Sequence, residues 1–128
     1  MKKGDDFFAI WGGVSGVQST LAILLSRGPK LPRELIGRLI ATNVAARYQL
    51  PNKGQIAPGY DADVSLVDEP ACYELTREQL LDRHKLSPYV GRTFHGRVKR
   101  TIVRGTTVFS DGQIVSKPVG QLVRPGAA

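Results

Sequence analysis

The hydrophobic period of this chain changes once, at Leu50-Pro51-Asn52-Lys53-Gly54, and that change limits the possible folds more than any other feature. Before it, apolar residues recur at helical spacing. After it, they alternate over short runs bounded by Gly, Asp and Pro. Helices followed by strands are an α+β pattern, and the break divides the chain into residues 1–49 and 50–128.

In the first part, residues 1–15 are Gly-rich and irregular. A helix is expected from Gly16 to about Arg27, with Val17, Leu21, Leu24 and Leu25 on one stripe. Gly28-Pro29 should end it, because Gly suits a left-handed cap and Pro cannot continue the ladder. A second helix is expected from Pro32, placed at its first position, with Leu35, Ile36, Leu39 and Ile40 turned inward. Thr42-Asn43 is a candidate break before a last turn through Tyr48.

In the second part, the run 62–68 alternates as a strand, with Val64, Leu66 and Ala62 on one side. The run 71–75 reads as another. Thr76-Arg77-Glu78-Gln79 has capping-box spacing, so a short helix is expected over 77–82. The runs 97–104 and 106–110 read as strands joined near Gly105, and Asp111-Gly112 as a tight turn before Gln113-Ile114-Val115.

Few residue types that carry chemistry occur in useful groups. His84 and His95 are the only histidines, and no acidic cluster stands beside them, short of the three or four ligands a zinc site needs. Cys72, between Ala71 and Tyr73 in an expected strand, reads as a buried small hydrophobe rather than a nucleophile. Asp61, Asp63 and Asp68 surround the first strand. They read first as turn residues, although paired carboxylates also serve acid–base catalysis. Gly12-Gly13-Val14-Ser15-Gly16 opens a helix but has neither dinucleotide-fingerprint spacing nor the Lys-Ser/Thr pair of a phosphate loop.

The net charge of +7 raises the question of nucleic acid, and Arg97 to Arg104 is the densest basic stretch. Its partial alternation reads first as a solvated strand face, and no nucleic-acid role is expected. No apolar run is long enough to span a bilayer. The single cysteine and the absence of an apolar region after Met1-Lys2-Lys3 lead to the expectation of a cytoplasmic protein.

Three segments carry a resemblance. They are Trp11-Gly12-Gly13-Val14-Ser15-Gly16-Val17-Gln18; Ala41 to Ala46 with Lys53-Gly54-Gln55-Ile56-Ala57-Pro58-Gly59-Tyr60-Asp61-Ala62-Asp63; and His84-Lys85-Leu86-Ser87-Pro88-Tyr89-Val90-Gly91-Arg92. In order, they resemble the C-terminal part of the allantoinase family, within the metal-dependent cyclic amidohydrolases. The middle segment and the Arg104-Gly105 hairpin resemble the whole superfamily; the last separates allantoinases from hydantoinases.

The resemblance implies that residues 1–49 are the terminal helices and substrate loop of a (β/α)8 barrel. It implies that residues 50–128 are the C-terminal part of a small β-sandwich. For the full enzyme it implies hydrolysis of allantoin to allantoate at a binuclear centre of zinc or another divalent metal. An aspartate would carry the proton. No metal ligand and no catalytic residue of the family matches a position here. The substrate-binding expectation rests on the backbone at Gly12, flanked by Trp11 and Gly13. His84, Lys85, Ser87, Pro88, Tyr89 and Arg92 are expected to be structural, with Arg92 or His84 supplying polar contacts. The implied partner is the remainder of an amidohydrolase chain or another copy of this one. The isolated chain is expected to be inactive. The competing expectation is a non-catalytic, amidohydrolase-like interaction domain.

Overall fold

The computed structural model describes residues 5, 6, 8 and 13–126. A 3₁₀ turn at Val17–Ser19 leads into α1 (Thr20–Leu25). Gly28 adopts φ +58°, and a short turn at Gly28–Lys30 closes the segment as Gly-Pro requires. Pro32 stands one position earlier than expected: it is the N-cap, with ψ 146°, and Arg33 begins α2 (Arg33–Gly37). α2 continues through a π turn at Arg38–Thr42 into α3 (Asn43–Arg47). Thr42-Asn43 therefore does not break the helix. The Thr42 hydroxyl donates to Gly54 O at 2.8 Å instead of capping α3.

The strands β1 (Val64–Glu74), β2 (Thr93–Val103), β3 (Thr106–Ser110) and β4 (Gln113–Ile114) form one antiparallel sheet in sequential order. Both hairpin turns after β2 have positive φ at their two central residues, 45° and 79° at Arg104-Gly105 and 49° and 92° at Asp111-Gly112. Such turns match the twist of the strands they join.

β1 departs from expectation. The runs 62–68 and 71–75 are largely one strand, interrupted by register shifts after Leu66 and between Asp68 and Cys72. A slip of register turns side chains to the opposite face. Val67 is therefore half-buried and Leu66 is exposed, the reverse of the expected alternation. Beyond Pro70, Ala71 and Tyr73 turn inward, which leaves Cys72 exposed instead of buried.

The core lies where α1, the 75–80 turn and β2 meet. Phe94 is 1% exposed, Leu80 2% and Leu75 3%, with Ala22 among them and Ile23, Tyr73 and Tyr89 packed around. Tyr73 and Tyr89 approach the Phe94 ring at 6.0 and 6.4 Å between centroids. α1 comes so close to β2 that a Cβ on Gly96, where φ is +81°, would stand 2.9 Å from Leu25 Cδ1. Glycine is required there on both counts.

The expected inward stripes are only partly realised. α1 buries Ala22 and Leu25, whereas Val17 is exposed. In the second helix only Ile36 of the four expected residues is buried; Leu35, Leu39 and Ile40 face outward. No helix among the described residues is long and apolar enough to cross a membrane.

Candidate functional site

The structure brings together two segments that lie far apart in sequence. Residues 13–15 and 84–88 face each other across a groove of about 670 Å³, lined by Gly13, Ser15, His84, Leu86, Ser87 and Pro88, with Val14 beside them. Gly13 adopts φ +94°, a backbone conformation that residues with a side chain rarely take. Trp11 and Gly12, the other two expected substrate contacts, lie outside the described residues.

The expected helix over 77–82 does not form, and the reason is tertiary. Half of the capping box is present, with Thr76 N donating to Gln79 Oε1 at 3.0 Å. The backbone groups that a helix would need are then engaged by Gln18: its Nε2 donates to Gln79 O at 2.8 Å, and its Oε1 accepts from Leu81 N at 2.8 Å. Further along, the Ser87 hydroxyl donates to Ser15 O at 3.1 Å and accepts from Tyr89 N at 3.3 Å.

The irregular 82–92 segment is held mainly by Asp82, Lys85 and Ser87. Asp82 Oδ2 accepts from the backbone of His84 at 3.1 Å, and the Lys85 ammonium donates to Leu80 O. Arg92 contributes through its backbone, with Leu75 N donating to Arg92 O at 3.0 Å. The sequence reading expects Arg92 or His84 to supply some of these contacts and misses Gln18. An amide side chain aimed at a distant backbone leaves no local signal.

A second cluster joins the helical and sheet parts. Lys53 Nζ lies 2.7 Å from Asp61 Oδ2 and also bonds Asp63 Oδ2. Asp63 Oδ1 accepts from Arg104 N in the first hairpin at 2.8 Å. The hydrogen bond from Lys53 holds the Asp63 carboxyl below the usual carboxylate range, and donation to Asp61 and Asp63 holds Lys53 above the usual ammonium value. Both aspartates are committed to a cation, so the cluster is a clasp and not an acid–base pair.

Among the described residues, no three His, Cys, Asp or Glu side chains gather as metal ligands. His84 borders the groove, whereas His95 sits in β2 opposite Cys72, its backbone N–H donating to Ser26 Oγ at 2.9 Å. The described residues do not fit a metal centre.

The same arrangement of helices and antiparallel sheet is found in solved hydantoinases. The L-hydantoinase (dihydropyrimidinase) of Arthrobacter aurescens superposes with a TM-score of 0.83 at 28% identity, over 88% of this chain and 26% of its own. A D-hydantoinase from a Thermus species superposes at 0.82 with 26% identity, over 93% of this chain and 27% of its own. The amidohydrolase family model matches residues 31–108, and the chain belongs to the amidohydrolase family. In sequence it is similar to the allantoinases of Solibacter usitatus and Rubrobacter xylanophilus, each 51% identical, over 99% and 98% of the chain. The chain spans 28% of the length of these curated relatives.

Proposed function

We propose that the chain is the C-terminal portion of an allantoinase, whose complete form opens the hydantoin ring of allantoin to give allantoate. The observation that carries this reading is the 51% identity with allantoinases over nearly the whole chain. The solved hydantoinases of the same fold stand at only 26–28%. A second support is local. The segment 84–92, which resembles allantoinases rather than hydantoinases, borders the groove that also contains Gly13.

In this reading residues 1–49 end the barrel domain and supply its last helices and substrate loop, and residues 50–128 belong to the small sandwich. Gly12 presents its backbone to the cyclic ureide, where a small residue lets the ring approach closely, and Trp11 and Gly13 flank it. The positive φ of Gly13 and its place on the groove support this assignment. The described residues offer no metal-holding cluster. Zinc or another divalent ion would be held by the part of the relatives' length outside the match. The isolated chain is then inactive, and its partner is that remaining part or a second copy. The single cysteine supports a reducing compartment, the cytoplasm.

The test compares substrates. A full-length enzyme that contains this segment should hydrolyse allantoin in preference to dihydropyrimidines and simple hydantoins, while purified residues 1–128 should not turn over allantoin with or without added metal. A preference for dihydropyrimidines would reject the allantoinase reading, and metal-dependent turnover by residues 1–128 would reject the predicted inactivity.

A further inference from the structure

We propose that Gln18 and Ser87 are positioning residues that hold the ligand-facing loop 13–16 against the irregular segment 79–89, so that this segment fixes where the loop presents its backbone. The inference deepens the proposed function and rests on it. Residues 13–16 lead into the helical bond from Ser19 N to Gly16 O at 3.0 Å, and belong to no helix or strand. A loop of this kind takes its position from external restraints.

Three restraints converge on it. The Gln18 amide makes two bonds to one backbone stretch, to Gln79 O and from Leu81 N, both at 2.8 Å. The Ser87 hydroxyl donates to Ser15 O and accepts from Tyr89 N, so both of its capacities are used and its rotor is fixed. The Tyr89 ring stands 3.8 Å from where a Cβ on Gly16 would lie, which leaves the loop little room to move towards it.

The segment that supplies these restraints is itself anchored. Leu80 is among the most deeply buried side chains, and the Tyr89 ring packs against Phe94. The strap therefore runs from the core to the loop and ends at the groove lined by Gly13 and Ser15. Small displacements of a ligand-contacting group weaken binding strongly.

The test uses the full-length enzyme with allantoin as substrate. Gln18→Leu and Ser87→Ala should each raise KM about tenfold while kcat stays within about twofold, the signature of lost ground-state positioning. Ser87→Thr, which keeps the hydroxyl, should restore KM. Hydrogen exchange in the peptide covering 13–20 should quicken in Gln18→Leu and Ser87→Ala and not in Ser87→Thr. A fall in kcat at constant KM, as loss of folded enzyme produces, would overturn the proposal. So would quickened exchange with unchanged KM, or unchanged exchange. If the unsubstituted enzyme turns over no allantoin, the proposed function fails, and the exchange measurement alone decides whether the strap holds the loop.

Discussion

The region around Phe94 and the helix running through α2 and α3 are held by different physics. The first is a small apolar core: Phe94, Leu75 and Leu80 are almost fully buried, and α1 packs on β2 closely enough to require Gly96. The second buries Ile36 and Ala45 but leaves Leu35, Leu39, Ile40 and Val44 between 38% and 45% exposed. Its attachment is largely polar. Arg33 pairs with Glu69 of β1 at 2.7 Å, Thr42 donates to Gly54 O, and the Lys53 clasp ties the following loop to the first hairpin. An apolar helix face held in place by polar contacts is a face with room for a partner.

The largest effect should come from Phe94→Ala, which empties the core centre and should cost about 3–5 kcal/mol in a denaturant titration. A loss of that size at Leu39→Ala would erase the distinction between the two regions. Gly96→Ala comes next, at about 1–3 kcal/mol, because the new Cβ meets Leu25 and the backbone conformation disfavours it. Lys53→Met should cost about 1 kcal/mol by removing the cation that two partly exposed carboxylates share. Its signature is regional: hydrogen exchange should quicken in 33–47 and leave β2 and β3 unchanged. Uniform quickening would show that the clasp belongs to the core's cooperative unit.

The clasp also predicts two pH limits. Asp63 is depressed in the folded state, so its contribution is complete above the unfolded carboxylate value of about 3.9 and fades as pH falls through the lower folded value. Lys53 is raised, so its contribution is complete below about 10.4 and fades as pH rises through the higher folded value. Asp63→Asn should flatten the acid limb of a stability–pH curve; an unchanged limb would assign that limb to other carboxylates.

The smallest effect on folding should be Leu39→Ser, within about 0.5 kcal/mol for an outward-facing site. The same change should reduce self-association of residues 1–128 in sedimentation at micromolar concentration, since this helix face exposes Leu35, Leu39, Ile40 and Val44 together. A monodisperse monomer before and after substitution would show that this face needs no cover.

The turns were the most legible part of the fold. Gly28-Pro29, Arg104-Gly105 and Asp111-Gly112 all act where local chemistry places them, because positive φ and a missing N–H are properties of the residues themselves. The misread elements depend on distant groups. The 77–82 helix is replaced by a turn because Gln18 engages Gln79 and Leu81. The helix passes Thr42 because that hydroxyl serves Gly54. Leu66 and Cys72 face outward because β1 slips against β2, and no pattern within β1 encodes its partner's register. At the candidate site, the motifs around Gly13 and Ser87 were visible separately. Their meeting across one groove required the fold.

The slip around Pro70 has a consequence for colloidal behaviour. Among the described residues β1 is the rim of the sheet, and an uninterrupted rim of eleven residues would be a template on which foreign strands could dock end to end. Pro70 lacks the N–H that such docking needs, and Asp68 and Glu69 place two negative charges just before it. The rim is thereby cut into two stretches, each too short to seed a long ladder. Chains crowded together should then meet through their helices and form discrete assemblies rather than fibres.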